Sequence, residues 1–130
     1  MSLTLFLYFR YYRIMTSVQS SQVLRFADMF SAMGTEARLR IMQLLMTAEP
    51  HGLIVGDIQS ELDIPNSTLS HHLDKLRNEA LVEVRREGTF LRYVADTKAL
   101  GELLNFLYAE CCTRNKAVQT EAVVRIGGRS

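Results

Sequence analysis

An excess of charge of either sign is missing from this chain. Its 130 residues carry fifteen Lys and Arg against fourteen Asp and Glu, a formal +1. That excludes a histone-like polycation and leaves any nucleic-acid contact to a local patch. Cysteine is nearly missing too, with two residues placed side by side at Cys111 and Cys112. A disulfide framework is excluded, and the pair points to a reducing cytosol with thiols kept for their chemistry. Long apolar runs are absent. The uncharged stretch 1–9 is too short to span a bilayer, and it lacks the basic n-region and cleavage site of a signal peptide. No membrane role is expected. No phosphate loop, dinucleotide fingerprint, repeat or low-complexity segment occurs. At 48% apolar and 22% charged, the chain is neither a disordered tail nor a fibre. It has room for one domain.

What is present is unevenly placed. Phe6, Tyr8, Phe9, Tyr11 and Tyr12 are five of the eleven aromatics. Met15 then opens a polar stretch, Thr16-Ser17-Val18-Gln19-Ser20-Ser21-Gln22, of the kind that begins an ordinary cytosolic protein. We therefore expect residues 1–16 to be a leader outside the domain, with Met15 the true start. Residues 17–115 form the domain and 116–130 a C-terminal tail.

Periodicity gives the elements. Val23, Phe26, Ala27 and Phe30 fall at helical spacing over residues 17–32, and Gly34 ends that helix. Thr35 is a good N-cap for a second helix to about Ala48, apolar nearly all round and so expected to be buried. Leu53-Ile54-Val55 reads as a strand or an extended lead-in. Residues 56–62 read as a short helix with Ile58 and Leu62 inward. After Asp63-Ile64-Pro65, residues 66–79 form a helix whose buried stripe is Leu69, Leu73, Leu76 and Ala80. Two short helices about so tight a turn make a helix-turn-helix. Residues 81–86 and 89–95 flank Glu87-Gly88 as a β-hairpin. A two-residue turn there pairs Val84 with Leu91, Glu83 with Arg92 and Val82 with Tyr93; a type I turn with a glycine bulge fits equally well. Asp96 caps a last helix over residues 97–113, with Leu100, Leu103, Leu104 and Leu107 inward. The fold class is mainly α with a β-hairpin wing: a winged helix-turn-helix flanked by N- and C-terminal dimerisation helices.

Only the outward face of a recognition helix reaches base edges in the major groove. Opposite Leu69 and Leu73 lie Ser67, Ser70, His71, Asp74 and Asn78. Short hydroxyls at a helix N-terminus bond phosphate or base with help from the helix dipole. Asn66, Thr68 and His71 add groove contacts, and Lys75 reaches the backbone. Caps and solvated surface would explain any one of these residues alone. A wing with Arg85, Arg86 and Arg92 directly behind the helix favours DNA. Between residues 66 and 98 there are six basic and five acidic side chains, so one chain neutralises few phosphates. A two-fold homodimer doubles the contacts and reads two half-sites of an operator.

These residues resemble the ArsR/SmtB metal-sensing repressors over about residues 18–113. The resemblance is carried by Thr35-Glu36-Ala37-Arg38-Leu39-Arg40-Ile41, Val55-Gly56-Asp57-Ile58, Ser67-Thr68-Leu69-Ser70-His71-His72-Leu73 and Arg86-Glu87-Gly88-Thr89-Phe90-Leu91-Arg92-Tyr93. It implies a cytoplasmic homodimeric repressor that leaves double-stranded operator DNA when a metal, metalloid or thiol oxidant binds. It also implies DNA contacts at Ser67, Ser70 and His71, with the wing arginines on phosphate. Asp74 departs from the pattern, which often has a basic residue there.

The inducer follows from the ligands present. The cysteine-x-cysteine of some relatives falls on Ile54 and Gly56, and a zinc-type site on the last helix lacks its histidines. Cys111 and Cys112 remain, soft thiolates that select thiophilic centres, with arsenite or antimonite as the expected inducer and no cofactor required. In a similar branch of arsenical repressors a third cysteine lies six residues on, where this chain has Val118. A small-molecule thiol, hydroxide or the other subunit then supplies the third ligand. A thiol-redox or persulfide response is the rival reading, although a bridge between adjacent cysteines is strained: consecutive Cα atoms lie 3.80 Å apart, and disulfides usually need about 4.4 Å. A winged helix serving only protein contacts is a further alternative. An enzyme is not expected, because no histidine base lies near Cys111 in sequence.

Overall fold

Gly34 and Thr35 set the first corner of the chain. Thr35 stands in extended conformation, and its hydroxyl accepts from the Arg38 amide at 3.3 Å, capping the next helix as its sequence position predicts. The computed structural model describes residues 3–114. Helix α1 spans Leu3–Met33, α2 Glu36–Thr47, and strand β1 Leu53–Ile54. Helices α3 (Val55–Leu62) and α4 (Asn66–Asn78) follow, then β2 (Val82–Glu87), β3 (Phe90–Ala95) and α5 (Thr97–Tyr108). The strands form one antiparallel sheet in the order β1-β3-β2. The result is the expected mainly helical winged helix-turn-helix.

The core lies where α2, α3, α4 and the sheet meet. Ile41, Leu45, Ile58, Leu69, Leu73, Leu76, Leu81 and Leu103 are fully buried. Several expectations need correction. Helix α1 is continuous from Leu3, so the expected boundary near residue 16 is not a break in secondary structure. It presents Phe26, Met29 and Ala32 to the core, while Val23, Ala27 and Phe30 stay exposed. These are two apolar stripes on one helix, and periodicity does not say which one the chain's own core takes. Helix α2 buries one face rather than its circumference, leaving Leu39 and Met46 exposed. Ala80 is not part of the α4 stripe; it is exposed in the left-handed region (φ 58°) and closes the helix.

The hairpin register is also shifted. Glu87 pairs with Phe90, Val84 with Tyr93 and Val82 with Ala95, so the turn is Gly88-Thr89 rather than Glu87-Gly88. Gly88, at φ +60°, takes the first turn position, where a left-handed conformation suits glycine. The expected Glu83–Arg92 pairing is replaced by Glu83 with Val94 and Arg85 with Arg92. Gly52 fixes the other edge of the sheet. At φ +73°, a Cβ there would stand 2.3 Å from the Tyr93 carbonyl oxygen, so only glycine lets the chain pass β3. Asp96 caps α5 through a 2.9 Å bond from the Ala99 amide, as expected. The helix stops at Tyr108, however, and not at Thr113. Leu103 is buried and Leu100 half-buried, whereas Leu107 is exposed.

Candidate nucleic-acid interface and cysteine pair

Helix α4 owes its position to three leucines on one side. Leu69, Leu73 and Leu76 are sealed in the core, which turns the opposite side outward. Asn66, Ser67, Thr68, Ser70, His71, Asp74 and Asn78 are all exposed there. Pro65 precedes the helix without a side-chain cap, so hydroxyls of the first turn are not used up by the N-terminus. Lys75 is exposed as well, but it lies on the flank facing α1, lining a cavity with Arg38 and Asp28.

The wing divides its arginines. Arg86 is exposed and makes no ion pair among the described residues. Arg85 stands 3.9 Å from Glu83 with more than half of its side chain in solvent. Arg92 is committed to the fold: its Nε meets a Glu87 carboxylate oxygen at 3.0 Å, and its Nη1 donates to the Gly52 carbonyl at 3.2 Å. It lies on the central strand, and no sequence pattern signals its tether to Gly52, just before β1.

Sequence reasoning passed over the role of Arg38. It is 8% exposed, and its Nε donates to the Ala32 carbonyl. Its Nη1 lies 3.5 Å from His72 Nδ1; a guanidinium only donates, so that nitrogen accepts. Burial, then the charge of Arg38, followed by His71 and Lys75, hold the His72 imidazole below its ordinary pKa. The signal was available: Arg38 precedes Ile41, Met42 and Leu45 at helical spacing, on the buried stripe.

Beyond α5 the chain turns, and the two thiols meet. Sγ of Cys111 lies 3.2 Å from Sγ of Cys112, and both residues are half-buried. Successive helical residues point about 100° apart. The pair converges because it lies in the turn beyond α5, with Cys112 in a left-handed conformation, φ 63°. The hydrogen bond between the sulfurs, with partial desolvation and the charge of Cys112, raises the Cys111 pKa. No set of three His, Cys, Asp or Glu groups suited to a metal occurs among the described residues. Val118, the position of the third cysteine in the similar branch, lies outside them, as does the expected tail.

A helix-turn-helix domain family matches residues 33–85. The transcriptional activator HlyU of Vibrio cholerae is 38% identical over 85 residues, covering 63% of this chain and 76% of that one. The chain belongs to the ArsR/SmtB family of winged-helix transcriptional regulators. A structure of reduced HlyU from Vibrio cholerae matches this family member with a TM-score of 0.56 at 28% identity, over 73% of this chain and 97% of HlyU. A homodimeric winged helix-turn-helix domain from Mycobacterium bovis shares the fold, with a TM-score of 0.57 at 23% identity, over 78% and 94% of the two chains. Within the ArsR/SmtB family the chain is a DNA-binding transcriptional regulator and not an enzyme. No helix among the described residues is long and apolar enough to cross a membrane.

Proposed function

We propose that this ArsR/SmtB regulator is a cytoplasmic homodimeric repressor released from its operator when a thiophilic metalloid, arsenite or antimonite, binds Cys111 and Cys112. The observation that carries the inducer is the 3.2 Å separation of the two sulfurs. Two thiolates on one soft centre must converge, and these need no further unwinding of α5 to do so. When As(OH)3 or Sb(OH)3 bonds to the pair, each thiol proton leaves with a displaced hydroxide as water, so two bonds to sulfur form with no net release of protons. DNA reading is assigned to Asn66, Ser67, Thr68, Ser70 and His71 on α4, with Lys75 and Arg86 on phosphate. Arg92 contributes to the interface by holding the wing in shape. The dimer surface is assigned to the exposed stripe Val23, Ala27 and Phe30 with Leu107 and Tyr108 of α5. Those last two adjoin the cysteine turn, so a metalloid there is placed to shift one subunit against the other.

The same sulfur pair supports one rival, a thiol-redox or persulfide response, and the similar HlyU of Vibrio cholerae has a reduced form. One experiment separates them. In a DNA shift assay on the protein's own promoter, arsenite should release the wild type, and neither Cys111→Ser nor Cys112→Ser should respond while both retain wild-type DNA affinity. Release of both serine variants would place the inducer elsewhere. Release by peroxide or persulfide but not by arsenite would establish the redox reading instead.

A further inference from the structure

A cavity between α1, α2 and α4 gathers charge that the fold does not neutralise. It is open to solvent, has a volume of about 250 Å³ and is lined by Asp28, Ser31 and Ala32 of α1, Arg38 of α2, Lys75 and Asn78 of α4, and Glu79 just past its end. Two of these are cations and two are carboxylates. None of the four makes an ion pair within 4.0 Å among the described residues. Arg38 is the buried member. Its Nε and Nη1 are engaged by the Ala32 carbonyl and His72, and its Nη2 has no partner among the described residues. No buried side-chain nitrogen or oxygen is left unsatisfied, so Nη2 opens to solvent, and the cavity is the space that Arg38 lines.

A guanidinium this buried, reaching solvent through one nitrogen and with no carboxylate beside it, is stabilised by a carboxylate that enters. A plain anion would also meet Asp28 and Glu79 and be repelled. A molecule carrying both charges meets neither objection: its carboxylate faces Arg38 and Lys75, and its ammonium faces Asp28 and Glu79. Ser31 and Asn78 add neutral hydrogen-bonding groups. The volume falls below that of sites for drug-sized ligands and suits a small metabolite. We infer that this cavity binds a small zwitterion of the amino-acid class, at a site separate from Cys111 and Cys112. Its walls come from α1 and from the recognition helix, so occupancy ties the reading head to the helix that carries the exposed stripe of Val23, Ala27 and Phe30.

The test uses the full-length protein. The common L-amino acids are titrated singly by thermal shift and calorimetry, against acetate, methylammonium and inorganic phosphate at matched ionic strength. At least one amino acid should raise Tm saturably and give a binding isotherm that acetate and methylammonium do not reproduce. Lys75→Met and Asp28→Asn alter exposed side chains, so both should fold with wild-type Tm and weaken that affinity about tenfold each. The absence of a saturable response to every amino acid overturns the proposal. Equal binding of acetate or phosphate also overturns it, reducing the cavity to a plain anion site. Unchanged affinity in both variants does so as well, by placing the ligand elsewhere.

Discussion

The recognition helix and the wing both present polar and basic groups to solvent, but they hold them on different terms. On α4 the core takes three leucines, and the polar side is left free from Asn66 to Asn78. In the wing, two arginines of one hairpin have opposite fates: Arg86 is free, and Arg92 is tied to Glu87 and Gly52. A count of basic residues therefore overstates the phosphate contacts this chain can make. A helix separates its structural and reading faces by angle; a central strand, bonded on both edges, has less to spare.

The sharpest way to break this contrast is at the tether. Gly52→Ala should cost about 3 kcal/mol or more, since it combines left-handed strain with a backbone clash at Tyr93. Chemical denaturation measures it, and a loss under about 1 kcal/mol would mean that β1 is not held as described. Arg92→Ala should lower Tm by roughly 5 °C or more, because it removes a partly shielded ion pair and a bond to the Gly52 carbonyl. Arg86→Ala should leave Tm in place and reduce the salt slope of DNA binding by about 1. If the two variants exchange phenotypes, the division of the wing is wrong.

Replacing Ser70 and His71 by alanine should weaken operator binding by about 1–3 kcal/mol and random-sequence binding much less, as read by competition shift assays. Equal losses on both DNAs would move these residues off the reading face. The smallest effect concerns pH. The folded His72 pKa lies below the ordinary imidazole value, so the unfolded chain takes up the proton first as pH falls. Stability should be full above about pH 6.5 and decline below it, through the interval down to the depressed folded pKa. Melting curves between neutral and mildly acidic pH should show a modest drop, flattened by His72→Gln.

Much of the fold could be read from residues alone, and the failures have physical causes. Leu69, Leu73 and Leu76 announce their helix because burial and period coincide. The caps at Thr35 and Asp96 are equally plain, since a short polar side chain precedes each apolar run. The hairpin register was missed because the expected and observed pairings differ by two residues. A shift of two keeps every side chain on its own face, so alternation is silent. Only the requirement for glycine at the first turn position decides it. Helix α1 misled for a different reason: its second apolar stripe is as regular as the one that enters the core. At the cysteines, composition identified the residues, but helical periodicity carried α5 too far, because no glycine or proline marks its end at Tyr108.

The short pairing of Leu53 with Tyr93 and Ile54 with Arg92 has a mechanical consequence. It fastens the wing to the segment that leads directly into α3, and the Gly52 carbonyl adds a second rivet through Arg92. Hairpin and helix-turn-helix are thus one rigid body rather than a head with a hinged flap. A signal arriving at α5 cannot loosen the wing on its own. In the proposed dimer such a signal would have to swing each whole reading head, and would act by spoiling the distance between two heads that each remain intact.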